Sequence, residues 1–308
     1  MNHKPQTFYS NGKLLITGEY VVLDGAEAFA LPTKFGQDLV VAAGEGKVVA
    51  WKSLDSDGSV WFAESMSFDE IANKSYIQKS DSIRSTLLEI LHEAYIARPE
   101  FIEQSDGYEI TTHLTFPKFW GLGTSSTLIN NIAQWLKIDA FELLQNSFGG
   151  SGYDIACAQN NSPILYRRQD SAPIVQPISF NPQFAGNLYF VYLNRKQSSK
   201  AAIASYYYHR HENLSQKIER LNKITSLVVN ATDHYSFARA LEQHEAILSD
   251  IIEMKTVKEA FFSDFTGAVK SLGGWGGDFV LAVSDENPQE YFKERGFETI
   301  VPYSKMIL

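Results

Sequence analysis

The chain has a single cysteine, Cys157. That excludes an intrachain disulfide and a zinc site built from thiolates, and it suits a reducing compartment, with the cytoplasm as the expected location. Long apolar runs are also missing. No window offers about 18 consecutive apolar residues, and the opening MNHKPQTFYSNGKLLITGEY has no apolar stretch ahead of a small-residue cleavage site, so neither a membrane span nor a signal peptide is expected. Basic residues are in deficit, with 27 Lys+Arg against 36 Asp+Glu and a formal charge of -9. A duplex-binding surface would have to be built against that field, which argues against nucleic acid as a partner. Internal repeats, low-complexity tracts and long like-charge runs are absent as well. What remains is a globular composition, 44% hydrophobic and 20% charged over 308 residues, long enough for two domains.

Periodicity supplies the organisation. Lys13–Leu23 and Asp38–Ala43 read as strands, and Lys47–Trp51 with Ser59–Ala63 flank the turn-forming Asp55-Ser56-Asp57-Gly58 as a hairpin. From Ser82 to Ala97, Ile83, Leu87, Leu91 and Ala94 recur at helical spacing, and Gly107–Phe116 returns to alternation before Pro117. From Ser125, Leu128, Ile132 and Leu136 form a stripe with Ile129 and Ala133 beside it, a helix that Ser, Thr or Asn would cap at its start. The polar stretch Tyr166–Pro182 carries Pro173, Pro177 and Pro182 and sets the expected domain boundary, 1–172 and 173–308. Beyond it come a strand at Leu188–Leu193, helices at about Lys200–Asn230, Tyr235–Met254 and Val257–Leu272, a strand at Phe279–Val283 and a short helix–strand tail. Runs of helices beside a few strands predict an α+β fold class.

Three segments carry chemistry. Phe116-Pro117-Lys118-Phe119-Trp120-Gly121-Leu122-Gly123-Thr124-Ser125-Ser126 runs from a strand through two glycines into an amphipathic helix. Glycines let backbone N–H groups approach an anion, and the helix start adds partial positive charge. A Walker A loop is excluded, since Thr124 stands where that pattern needs lysine; a plain Ser/Thr-capped turn remains the alternative. In Gly149-Gly150-Ser151-Gly152-Tyr153-Asp154-Ile155-Ala156 an acid follows a glycine turn and opens a helix, as a cap or as a catalytic carboxylate. Gly273-Gly274-Trp275-Gly276-Gly277-Asp278 sits between a helix and an apolar strand, where a merely flexible linker is seldom found. Tyr206-Tyr207-Tyr208 reads as packing and surface, and the seven histidines show no metal-ligand spacing.

In this order the segments resemble the GHMP kinase superfamily over nearly the whole chain. Gly12-Lys13-Leu14-Leu15-Ile16-Thr17-Gly18-Glu19-Tyr20 is similar to the family's first motif, Gly121–Ser126 to its second and Gly273–Gly277 to its third. Gly152-Tyr153-Asp154-Ile155-Ala156 resembles the Asp segment of mevalonate and phosphomevalonate kinases, in the form carried by the bacterial GYDIA-type members.

The resemblance implies a two-domain α+β GHMP fold, an N-terminal domain with a left-handed βαβ crossover and a C-terminal ferredoxin-like domain. It implies an ATP- and Mg²⁺-dependent kinase that phosphorylates a small anionic acceptor, mevalonate or phosphomevalonate. The alternatives are a non-catalytic nucleotide-binding homologue, or a diphosphomevalonate decarboxylase or sugar kinase on the same scaffold. By resemblance, Asp154 and Lys13 are catalytic, and Gly121, Leu122, Gly123, Thr124, Ser125 and Ser126 hold the nucleotide. Ser125 and Glu142 take the metal, while Glu19, Ser151, Ser198, Ser199, Lys200, Gly274 and Gly276 contact substrate. Trp275 departs from the pattern by replacing a glycine, so its indole is expected against the nucleotide or the Gly121–Ser126 turn, or else turned away with the loop displaced.

Overall fold

The computed structural model describes residues 4–76, 82–169, 172–195, 203, 206–208 and 213–308. Contacts divide the chain into two units that interleave in sequence rather than meeting at 172/173. The first comprises residues 1–12, 35–118 and 122–159; the second comprises 13–34, 119–121 and 160–308. The difference arises in two long strands, β1 (Gln6–Thr17) and β2 (Ala28–Ala43), each of which contributes residues to both units.

In the first unit, the C-terminal half of β2 pairs antiparallel with β5 (Tyr108–Leu114). β5 pairs parallel with β3 (Val48–Leu54), and β3 pairs antiparallel with β4 (Val60–Ser67). The predicted hairpin turn forms because Asp55 and Asp57 side chains accept the N–H groups of Ser56 and Ser59, while Gly58 takes φ 81°. Six described helices contribute to one apolar core: α1 (Phe68–Ala72), α2 (Ile83–Ala97), the short α3 (Glu100–Glu103), α4 (Thr124–Leu136), α5 (Ala140–Ser147) and α6 (Tyr153–Gln159). Ser82 caps α2, accepting the Ser85 N–H at 3.1 Å, and Leu87, Leu91 and Ala94 face inward as their spacing requires.

In the second unit, β2 begins beside β6 (Ile164–Arg167), which pairs with β7 (Ile174–Pro177). A separate antiparallel sheet has the order β11 (Ile300–Pro302), β8 (Leu188–Tyr192), β10 (Phe279–Val283), β9 (Ala268–Ser271). All five side chains of β10 are buried, so both of its faces are covered. Helices Leu214–Val229 and His234–Ile252 pack on one another, and no described helix is long and apolar enough to cross a membrane. Tyr206 is buried while Tyr207 and Tyr208 are exposed.

One expected helix is corrected. Val257–Leu272 is helical only over Val257–Phe261; its end is strand β9, whose four side chains are all buried. The helical spacing there is overridden by pairing with β10, which seats Lys270 in the interior.

Candidate functional site

In the first unit, α4 is fixed by a buried polar ladder along one side. Ser10 Oγ donates to Asn131 Oδ1 (2.7 Å), Asn130 Nδ2 to Ser10 Oγ (2.8 Å), Asn131 Nδ2 to the Gln37 carbonyl (2.8 Å) and Thr127 Oγ1 to Gln37 Oε1 (2.7 Å). With every member bonded, such a network fixes the helix in rotation and height. Its other side places Ile129, Ile132, Ala133 and Leu136 in the core.

The start of α4 differs from the capped helix that its hydroxyl-rich sequence suggests. Gly123 is the N-cap at φ 98°, in the left-handed region, and no side chain caps the helix. Thr124, Ser125 and Ser126 lie within the first turn, where N–H groups have no intrahelical partner. The result is a 13-residue helix whose first-turn donors carry no side-chain cap at its positive end, an arrangement suited to an anion. Leu122 anchors the loop at 0% exposure.

α6 packs against α4 and carries Asp154, half-buried in its first turn, while Ile155 enters the core. Ahead of it Gly149, Gly150 and Gly152 all have positive φ, and Ser151 is buried. Glu142 is exposed in the first turn of α5, since Leu143 and Leu144 take the core-facing positions. Among the described residues no group of three or more His, Cys, Asp or Glu could hold a metal ion.

In the second unit, Lys13 Nζ donates to the Gly121 carbonyl at 3.4 Å. Gly121 has φ 68°, and a Cβ there would stand 2.3 Å from Asp278 Cγ. Only glycine lets the Asp278 carboxylate lie against that backbone, so one lysine and one aspartate converge on Gly121. Burial first, and then the Asp278 charge, raises the Tyr192 hydroxyl above its ordinary range.

The third glycine segment joins β9 to β10. Gly273 and Gly276 have φ 71° and 75° with open space around them, so backbone conformation rather than crowding calls for glycine. Trp275 is 4% exposed in a cluster with Tyr20, Tyr206, Leu248 and Ile251. Its indole N–H donates to the Lys255 carbonyl (2.9 Å) and its backbone N–H to Tyr20 Oη (2.8 Å). A large apolar ring with both donors satisfied is stable in that core, in line with the packing alternative left open for Trp275. Glu19 departs from its expected substrate contact: it is 1% exposed and closes on Lys270. Ser198, Ser199 and Lys200 lie outside the described residues.

The sequence reading missed the α4 ladder, whose trace is the pair of poor helix formers Asn130-Asn131 in mid-helix. It also missed Lys270, which falls in the stretch expected to be helical and is buried on β9.

No protein-family model and no curated protein matches the chain. Solved structures do. Methanococcus jannaschii mevalonate kinase matches with a TM-score of 0.70 at 14% identity, covering 96% of each chain. Streptococcus pneumoniae phosphomevalonate kinase in complex with phosphomevalonate and AMPPNP matches with a TM-score of 0.66 at 14% identity, covering 98% of each. The fold is that of the GHMP kinases. Lactococcus lactis galactokinase complexed with galactose shares it, with a TM-score of 0.66 at 13% identity over 95% of this chain and 89% of that one. Within this GHMP fold, the uncapped start of α4 and the Asp154 turn belong to the first unit, and Lys13, Gly121 and Asp278 to the second.

Proposed function

We propose that the protein is an ATP-dependent small-molecule kinase that transfers the γ-phosphoryl group to a small anionic acceptor, mevalonate or phosphomevalonate. The observation that carries the reading is the uncapped start of α4, a helix fixed by a buried polar ladder and packed against the helix that bears Asp154.

Phosphoryl transfer asks for positioning and for neutralisation of charge more than for covalent chemistry. The N–H groups of Gly123, Thr124, Ser125 and Ser126 bind phosphate oxygens, and Lys13 supplies a cation. Asp154 orients the acceptor oxygen and takes its proton where it carries one, while that oxygen bonds to the γ-phosphorus and ADP departs. Mg²⁺ takes most of its six oxygens from phosphates and water and needs one or two from protein, a demand that the Ser125 hydroxyl at the helix start fits. When bound, the ion neutralises charge on the transferring group. Glu142, exposed in the first turn of α5, is the weaker part of the proposed metal set. Ser151, Gly274 and Gly276 remain proposed substrate contacts.

The test is a panel of mevalonate, phosphomevalonate, homoserine and sugars, each with ATP and Mg²⁺, with ADP release followed. Turnover of mevalonate or phosphomevalonate is the expected result. Turnover of a sugar alone removes the isoprenoid assignment, and ATP binding without acceptor-dependent ADP release from any compound removes the kinase reading in favour of a nucleotide-binding protein.

A further inference from the structure

Lys270 is completely buried on β9, three residues before Gly273. Its ammonium lies 2.5 Å from Glu19 Oε1 and 3.0 Å from Glu245 Oε2, and it donates to the Ser271 carbonyl at 2.6 Å. Glu245 Oε1 in turn accepts the Ser271 N–H at 3.1 Å. The neighbouring His244, equally buried, accepts the Gly18 N–H on Nε2 at 3.0 Å, and its Nδ1 is 3.9 Å from Glu19 Oε2. One ammonium, two carboxylates and an imidazole thus join three separate elements: the turn after β1, the His234–Ile252 helix and β9.

A cluster of this kind is a poor stability device. Desolvating the charges offsets much of their attraction, and well-packed apolar side chains of similar volume often serve as well or better. What the charges do supply is geometry. The turn they hold is itself unusual, with Gly18 at φ 94° and the non-glycine Tyr20 at φ 61°. A Cβ at Gly18 would stand 2.7 Å from Ala28 Cα, so the backbones are in close contact there. Two adjacent residues of the glycine loop, Trp275 and Gly276, are tied to this assembly. Tyr20 Oη accepts the Trp275 N–H, and Ser271 Oγ accepts the Gly276 N–H at 3.4 Å.

We propose that Lys270 is a positioning residue: by clamping Glu19 and Glu245 it holds the Gly18–Tyr20 turn against β9, and through Tyr20 it sets the register of the Gly273–Gly277 loop for phosphoryl transfer. The catalytic half of this statement rests on the kinase reading above; the structural half does not. The titratable groups facing the ammonium are Glu19, Glu245, His244 and Tyr20, and burial raises both carboxyls above the ordinary carboxylate range.

The decisive variant is Lys270→Met combined with Glu19→Gln, which removes the clamp and leaves only Glu245 ionisable among the three. Trp275 is the reporter, its emission isolated by subtracting the same protein carrying Trp275→Phe. In the wild type, acrylamide should barely quench Trp275; in the double variant its quenching constant should rise at least about twofold as the loop loosens. With the acceptor that the panel identifies, kcat/KM for ATP should fall about 10²-fold, as expected for a small misplacement of a loop near reacting groups, with much of the loss in KM. A merely structural role would lower the melting temperature and leave the ATP KM of the folded protein unchanged. Should the double variant fail to fold, Tyr20→Phe removes only the hydroxyl that reaches Trp275 and should move both readouts in the same direction by a smaller factor. Unchanged Trp275 quenching together with an unchanged ATP KM overturns the proposal. If the wild type shows no acceptor-dependent ADP release, the kinase reading fails by itself, and the quenching comparison still decides whether Lys270 sets the loop.

Discussion

Glu19→Gln gives a stability change whose dependence on pH follows from burial. Desolvation pushes the Glu19 carboxyl from an ordinary 4.5 up to about 7, against the pull of Lys270. A single ammonium between two buried carboxylates cannot keep both fully ionised near neutrality, so the folded protein retains a proton that the unfolded chain has released. Between pH 4.5 and 7 the folded state therefore binds more protons, and raising the pH favours unfolding. At about 1.36 kcal/mol per pH unit across that interval, the wild type loses about 3 kcal/mol that the glutamine variant, with nothing to titrate at position 19, does not lose. The assay is urea unfolding of both proteins from pH 4 to 8.5 at micromolar concentration, since the pI near 5.3 falls inside the range. The free energy of the wild type minus that of Glu19→Gln should be flat below pH 4.5, fall through the interval and level off above pH 7.5. Taking the difference removes groups that titrate alike in both proteins. His244 lies against Glu19, and its burial holds its pKa well below 6.5, so that its contribution is present above pH 6.5 and lost on acidification, opposite in sign to the fall expected for Glu19. A difference constant to within about 0.5 kcal/mol, or one that rises with pH, would refute the reasoning and show Glu19 ionised throughout.

Three further outcomes are expected. Asp154→Asn should leave nucleotide affinity within a few-fold while cutting turnover by roughly 10²–10⁴, measured by steady-state ADP release; unchanged turnover leaves Asp154 only a structural role in the first turn of α6. Gly121→Ala places a methyl 2.3 Å from Asp278 Cγ at φ 68°, and should cost about 1–3 kcal/mol in urea unfolding. Adding Asp278→Gly should recover the steric part of that loss but not the backbone part, and a double variant no more stable than Gly121→Ala would show that the crowding is relieved some other way. Asn131→Ala strips partners from Ser10 and from the Gln37 carbonyl and should destabilise by about 2–4 kcal/mol, read as a lower melting temperature. A change within 0.5 kcal/mol would mean that water replaces the ladder.

The sequence alone determined whatever is local or recurs with a short period. The stripe from Leu128 to Leu136 fixed a helix and its core face, the Asp55–Gly58 turn fixed a hairpin, and three ordered glycine motifs pointed to the GHMP fold that the solved structures share. Asp154 was legible as the opening of a helix because a glycine turn precedes it. Only the tertiary structure decided which partner each polar group meets. Lys270 reads as helical until pairing with β10 turns it inward, and Glu19 reads as a substrate contact until that lysine closes on it across 251 residues of sequence. Trp275 sits in a glycine run that speaks of backbone freedom, yet its indole follows Tyr20 and the Leu248–Ile252 face into a core assembled from distant segments. Spacing reports which face of an element a residue occupies; the neighbour waiting on that face, and hence the burial and charge that set its chemistry, is fixed only when the elements pack.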